Sequence, residues 1–275
     1  MMILVIGRTA SGKDYFTERL ADTGLRVVKS YTTRSKRTPD EDSHIFITPE
    51  EAATYDNKVA TTVIKGHEYF ATSDQVDASD IYIIDPNGFY ELTKNMPDTA
   101  FFIVYVSAYE DSIRRERFIA RAADKEKAKT DFDARNSDED GQFTEFEKNL
   151  ELFQNEEDGY TASGFPENVV GVLNYVNDFN PATAEENLQT ILCYKHRFDR
   201  AIELVEHAVN EQLISVDDKG QILAAAQSED CDDAVPVCIS KDLYTAFLLS
   251  SYDELGKFVT SMWDKKAMME YPIHI

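Results

Sequence analysis

Cysteine is scarce in this chain, with only Cys193, Cys231 and Cys238. The number is odd and no Cys-x-x-Cys pair occurs. That excludes a disulfide framework and a cysteine-rich zinc site, and fits reduced thiols in a cytoplasm. Long apolar runs are missing as well: no stretch approaches the roughly 18 residues of a membrane span. The apolar opening, Met1 to Ile6, is shorter than a signal peptide and runs straight into a motif, so no secretory leader is expected. Basic residues are few, 28 Lys and Arg against 51 Asp and Glu, for a formal net charge of −23. A field of that sign repels long nucleic acid and anionic membrane. A small phosphorylated metabolite, held by a local cluster of Arg and Lys, remains compatible with it.

What is present reads as a folded domain. Four short apolar runs, Ile3 to Ile6, Ile81 to Ile84, Phe101 to Val106 and Val169 to Val176, suit strands buried on both faces. Helical stretches lie between them, including Lys13 to Ala21, closed by Gly24, and Ala108 to Ala123. Strands alternating with helices predict an α/β fold, a parallel sheet with helices on both faces. Two regions break the rhythm. Asp131 to Asp158 holds eleven acids against Arg135 and Lys148 and reads as a solvated, mobile excursion. From about Arg197 the strand pattern ceases. Ala201 to Leu213 and Leu243 to Trp263 read as amphipathic helices around an acidic loop, Ser228 to Asp233. Residues 197–275 are therefore expected to form a small acidic helical appendage, a surface for a protein partner or for self-association.

The sharpest motif is Gly7-Arg8-Thr9-Ala10-Ser11-Gly12-Lys13, directly after the first strand and opening a helix. This is the G-x-x-x-x-G-K phosphate loop in the context it requires. Glycines let the backbone curl until successive N–H groups point at phosphate oxygens, and the helix N-terminus adds partial positive charge. Lys13 would reach the outer phosphates of ATP. Asp14 follows, where a Ser or Thr hydroxyl usually meets Mg²⁺; its carboxylate could hold the metal directly or through water.

Ser30-Tyr31-Thr32-Thr33-Arg34-Ser35-Lys36-Arg37 comes next. Two arginines three apart among hydroxyls suit a dianionic phosphate, which guanidinium forks bind bidentately. Alone, the run could equally be a solvated basic loop. Then follow Asp42-Ser43-His44-Ile45-Phe46, Tyr69-Phe70-Ala71-Thr72-Ser73, Asp85-Pro86-Asn87-Gly88, the arginines Arg117, Arg121 and Arg135, and Leu173-Asn174-Tyr175-Val176-Asn177-Asp178. In this order, over about residues 1–196, the string resembles the guanylate kinases, P-loop nucleoside monophosphate kinases. The Gly-Lys-Asp loop and the Ile-Asp-Pro-Asn-Gly strand end look most like guanylate kinase-like proteins of phages and related bacterial genomes.

The resemblance implies a P-loop NTPase-type fold, with a monophosphate-binding segment over about 30–80 and a lid over about 114–165. It implies ATP and Mg²⁺ as cofactors and small nucleotides as substrates. Arg34 and Arg37 would clamp the acceptor phosphate with Tyr69, and His44 stands where the family has another phosphate-binding tyrosine. Ser30, Thr72 and Asp85 could contact the base, and Asp85 could orient Mg²⁺ waters. Arg117, Arg121 and Arg135 would close over the transferring phosphoryl group. A departure concerns the base. Where the family carries a guanine-reading glutamate, this chain has Ala60-Thr61-Thr62, and a site without its carboxylate loses a main means of choosing guanine.

A second motif competes for the lid. Asn136 to Glu147 fits the spacing of a calcium-binding EF-hand loop, with Gly141 at the required turn. An acidic lid loop is the plainer reading of the same residues. Two other functions stay open: a non-catalytic guanylate kinase-like interaction module, and a P-loop kinase with a non-nucleotide acceptor.

Overall fold

The computed structural model describes residues 1–154, 165–210 and 237–239. The chain divides into two units, Met1–Leu188 and Gln189–Ile275.

In the first unit β1 (Met2–Ile6) is buried along its whole length and starts the central sheet. A loop leads to α1 (Lys13–Ala21), whose Phe16, Thr17 and Leu20 face inward. After α1, Gly24 takes φ +95 and its N–H reaches the Ala21 carbonyl at 2.9 Å, which stops the helix. Then come β2 (Tyr31–Thr32), β3 (Ile45–Phe46), α2 (Pro49–Ala52), β4 (Lys58–Ile64), β5 (His67–Thr72) and α3 (Ser73–Asp77). The chain returns to the central sheet through β6 (Ile81–Ile83), α4 (Pro86–Asn95), β7 (Phe101–Ala108), α5 (Asp111–Ala120), α6 (Lys125–Gln154) and β8 (Val169–Asn177). The strands β6, β1, β7 and β8 lie side by side, all parallel, with Leu4 between Tyr82 and Ile103. The α/β expectation holds: a parallel sheet with helices packed around it. Its four strands are the four apolar runs, because a strand covered on both faces has no polar side to show.

Between β2 and α3 the chain builds a separate small sheet in the order β3-β2-β5-β4. The β4–β5 pair is an antiparallel hairpin that turns on Lys65 and Gly66, both at positive φ (52 and 80). Two left-handed residues in a two-residue turn match the right-handed twist of the strands they join.

The largest departure from expectation is α6. Neither a mobile acidic excursion nor a calcium loop forms over Asp131 to Gln154: the segment is one helix, and residues 155–158 of the acidic stretch fall outside the described residues. Asp124 starts it, its carboxylate accepting the Lys127 N–H at 3.0 Å. Ala128, Phe132, Phe143, Phe146 and Leu150 are buried at spacings of three, four and eleven residues, while the acids point elsewhere. Phe146 meets Phe89 of α4 edge-on at 5.5 Å and Phe165 at 5.2 Å. That apolar seam outweighs the mutual repulsion of solvated carboxylates, each pair of which costs only a few tenths of a kcal/mol. An EF-hand loop needs its glycine in a sharp turn; Gly141 is helical here, so the oxygens of Asn136 to Glu147 spread around a cylinder instead of converging. No group of acidic, His or Cys side chains among the described residues could hold a metal by itself.

Helix α7 (Pro181–Asn210) begins at Asn180, whose side chain accepts the Ala182 N–H at 3.0 Å. In the second unit the described residues are the remainder of α7, where Lys195 pairs with Asp199 at 2.9 Å, and a short strand β9 (Val237–Ile239). A strand there departs from the purely helical reading of 197–275. The acidic loop at 228–233, the helix at 243–263 and Cys231 lie outside the described residues, as do the last three residues of the 201–213 helix. No described helix is long and apolar enough to cross a membrane.

Candidate functional site

The phosphate loop is held by close contacts that leave no room for side chains at its glycines. A Cβ on Gly7 would lie 2.4 Å from the Val106 carbonyl oxygen and 2.7 Å from Ser11 Oγ. Gly12 has φ +102, and a Cβ there would lie 2.1 Å from Asn177 Nδ2. That amide, at the end of β8, donates to the Ser11 carbonyl at 2.8 Å. Its Oδ1 accepts from the Tyr175 hydroxyl at 3.1 Å and from the Phe179 N–H at 2.9 Å. The loop is therefore pinned from behind by the last strand of the sheet. Ala10, at φ 63, completes the curl. Ser11 is fully buried, and its hydroxyl has no hydrogen-bond partner among the described residues.

Lys13 and Asp14 open α1 and face a cavity of about 510 Å³ together with Thr9, Ala10, Arg37, Phe118, Arg121 and Arg135. Four cations thus meet one acid. Among the described residues none of Lys13, Arg37, Arg121 and Arg135 has a carboxylate partner, whereas Arg8, Arg19, Arg26, Arg34, Arg114 and Arg115 all do. Arg121, which caps the end of α5, and Arg135 of α6 share one platform, their guanidinium carbons 5.2 and 5.5 Å from the centre of the Phe118 ring. Unpaired cations crowded in a chain of charge −23 repel one another, and the arrangement is electrostatically completed by an anion.

Five of these residues, Thr9, Lys13, Asp14, Arg37 and Arg135, also line a larger cleft of about 760 Å³. Its far walls carry Ser30, Arg34, His44, Thr62, Tyr69 and Asp85. Alternation along β5 turns Tyr69 toward the cleft and Phe70 into the core. Arg34 is buried and forks onto Glu41, which accepts at 2.9 Å and 2.5 Å and also takes the Arg37 N–H. The Arg34 guanidinium, then the Arg37 amide, hold the Glu41 carboxyl well below the usual carboxylate range. His44 shares a 3.0 Å hydrogen bond with Ser30, and burial, reinforced by nearby Arg34, pushes its ring pKa down. Asp85, two residues past β6, caps α4, its Oδ1 taking the Asn87 and Gly88 N–H groups at 3.0 and 3.1 Å. A Cβ on Gly88 would come within 3.2 Å of Thr62 Oγ1, so this glycine lets α4 close onto β4. Asp14 and Asp85 line the same cleft, and hard oxygen donors of this kind fit Mg²⁺.

Three expected residues are used otherwise. Thr72 is buried as the cap of α3, accepting the Gln75 N–H within a capping box, because the end of β5 needs that hydroxyl to start the helix. Arg117 stacks on Phe179 at 3.6 Å, outside the lining of both cavities, because its helix turns it toward the β8 end. Arg8 turns outward to Glu147, at 2.9 Å, and Asp140. Glu41 and Phe118 hold no place in the motifs of the sequence, where Asn177 stands only within a strand motif and Glu139, which touches the loop, only within the calcium-loop spacing. Phe118 carries a signal, standing three residues before Arg121; Glu41 pairs within its own loop, seven residues from Arg34, whereas Glu139 meets Thr9 only through the tertiary fold.

No family model matches the chain, and no curated protein sequence does. In structure the chain is similar to the guanylate kinase from Anaplasma phagocytophilum, with 16% sequence identity and a TM-score of 0.33, over 42% of this chain and 64% of that one. The chain spans less than two thirds of that protein's length.

Proposed function

We propose that the protein transfers a phosphoryl group from ATP to a nucleoside or deoxynucleoside monophosphate, giving ADP and the diphosphate, with residues 1–196 as the kinase domain. The observation that carries this reading is the convergence of Lys13, Arg37, Arg121 and Arg135, none with a carboxylate partner among the described residues, where the phosphate loop opens into the cleft. Phosphoryl transfer needs positioning and charge neutralisation more than covalent help. In this reading the loop N–H groups and Lys13 bind the donor phosphates. Arg34, Arg37 and Tyr69 orient the acceptor phosphate. One of its oxygens, already ionised, attacks the terminal phosphorus of ATP as the bond to the bridging oxygen of ADP breaks. No base is needed. Arg121 and Arg135 offset the charge on the transferring group, and Arg117 reaches it only if α5 moves. Asp14 and Asp85 would hold Mg²⁺, which neutralises phosphate charge when bound.

The base is left open by the residues on offer. Ala60 and Thr62 of β4 give the wall no acid, and Ser30, Thr62 and Asp85 supply its polar groups. A kinase with a non-nucleotide acceptor is the second reading, favoured by that same missing acid. Incubation with ATP, Mg²⁺ and each ribo- and deoxynucleoside monophosphate, with ADP measured, tests the proposal. Turnover above ATP hydrolysis with at least one acceptor, falling about 10²–10³-fold in Lys13→Ala, is expected. Hydrolysis alone with every monophosphate refutes it.

A further inference from the structure

Helix α6 lies across the phosphate loop with one face. Asn136 accepts from Arg114 at 2.7 Å, Glu139 contacts Thr9, and Phe143 lies under Arg8 at 5.0 Å. Glu147 forks onto the same arginine at 2.9 Å. The spacing, three or four residues at each step, is that of a single helix stripe. Two of these acids answer a side chain: Asp140 and Glu147 neutralise Arg8. Glu139 does something different. Its two carboxylate oxygens lie 3.1 and 3.0 Å from the Thr9 backbone N–H, and it also accepts the Thr9 hydroxyl. Thr9 is almost wholly covered, and Arg114 stands 3.9 Å from Glu139 on the side away from solvent.

The backbone N–H groups of such a loop are an anion seat. Thr9 and Glu139 both line the cleft that carries Arg34 and Arg37, so this end of the loop faces the acceptor. A phosphate that meets the loop there is the terminal one of the donor. We propose that Glu139 is a built-in competitor for the terminal-phosphate seat, so that a phosphate chain long enough to reach Thr9 must displace it. The inference rests on the reading of the loop as a phosphate site, but not on any acceptor or on turnover.

Two like charges cannot share one N–H, and a ligand whose seat is filled for most of the time binds more weakly by the fraction left open. Asp140, Glu147 and Arg8 hold the helix in register, which keeps the carboxylate concentrated at Thr9. The closed state is thus complete in itself, and entry of the donor is coupled to movement of α6.

The test is calorimetric titration of the full chain with inorganic tripolyphosphate, without Mg²⁺. Glu139→Gln keeps an acceptor oxygen for the Thr9 N–H, so α6 still docks, but removes the charge. Its affinity for tripolyphosphate should rise by on the order of tenfold. Glu145→Gln removes the same charge from the exposed side of α6 and should change affinity less than twofold. Equal gains in the two variants would mean a general field effect and overturn the proposal, as would unchanged or weaker binding in Glu139→Gln. Weaker binding only when Mg²⁺ is added back would make Glu139 a metal ligand, which also overturns it. If neither wild type nor Glu139→Gln takes up tripolyphosphate, the phosphate-site reading of the loop falls, and the competitor with it. Tripolyphosphate binding that Glu139→Gln does not strengthen removes the competitor alone and leaves the kinase reading intact.

Discussion

Gly12 and Gly24 both hold a positive φ, +102 and +95, yet their surroundings differ completely. A methyl group on Gly24 meets nothing within 4 Å, while on Gly12 it lands 2.1 Å from Asn177 Nδ2. Alanine at either position bears the left-handed penalty of about 1–2 kcal/mol. At Gly12 the Asn177 amide must also turn away. That breaks its 2.8 Å bond to the Ser11 carbonyl and disturbs the two bonds made by its Oδ1. Asn177 is 3% exposed, so water cannot replace them. At about 0.5–1.5 kcal/mol per bond, three bonds put the extra loss at about 1.5–4.5 kcal/mol. In urea unfolding, Gly12→Ala should be less stable than Gly24→Ala by that margin. Adding Asn177→Ala to Gly12→Ala should cost little more, because the clash and the bonds vanish together, whereas Asn177→Ala alone should destabilise. Nucleotide binding should fail in Gly12→Ala and persist in Gly24→Ala. Equal destabilisation by the two alanines, within about 0.5 kcal/mol, would refute the claim that Asn177 pins the loop.

Phe118→Leu removes the shared face beneath Arg121 and Arg135 while keeping an apolar side chain; turnover should drop about five- to thirtyfold, with Phe118→Tyr near wild type, since each of the two exposed cation–π contacts is worth about 0.5–1 kcal/mol. Steady-state kinetics with saturating ATP reads this. His44 supplies a pH signature. Its folded pKa lies below the ordinary 6.5, so the unfolded chain takes up a proton first as pH falls, and stability is lost on acidification below about pH 6.5. Glu41, also depressed, adds a loss in the same direction that begins lower, below its ordinary 4.5. His44→Gln should flatten the upper part of the stability profile and leave the lower part.

The central sheet and the loop were legible in the sequence because their causes are local. Parallel strands buried on both faces are written as unbroken apolar runs, and a glycine-lysine turn needs only its neighbours to be recognised. The small sheet was less legible. Strands such as Tyr31–Thr32 and Ile45–Phe46 are two residues long, too short to show alternation, although Lys65-Gly66 between β4 and β5 does carry a hairpin signal. Helix α6 is hidden in the sequence because its acid content is conspicuous and the apolar positions 132, 143, 146 and 150 are widely spread. Only the partner surface, Phe89 and Phe165, makes those positions a seam. The cleft cations were visible as residues, but not as unpaired ones. Which arginine meets a carboxylate depends on contacts such as Arg8 with Glu147, 139 residues apart.

Thirty residues of unbroken helix make α6 a rod of about 45 Å. Its far half, from Phe143 to Leu150, is anchored in the hydrophobic core, and its near half carries Arg135 and Glu139 over the cleft. The side chains over the cleft are therefore carried on a continuous helix and not on a loop. Gly141 sits between the two halves. A methyl group there would touch nothing within 4 Å, so packing does not require a glycine, while helix stability is lowered by about 1 kcal/mol relative to alanine. Arg8 bridges this weak point, holding Asp140 on one side of Gly141 and Glu147 on the other.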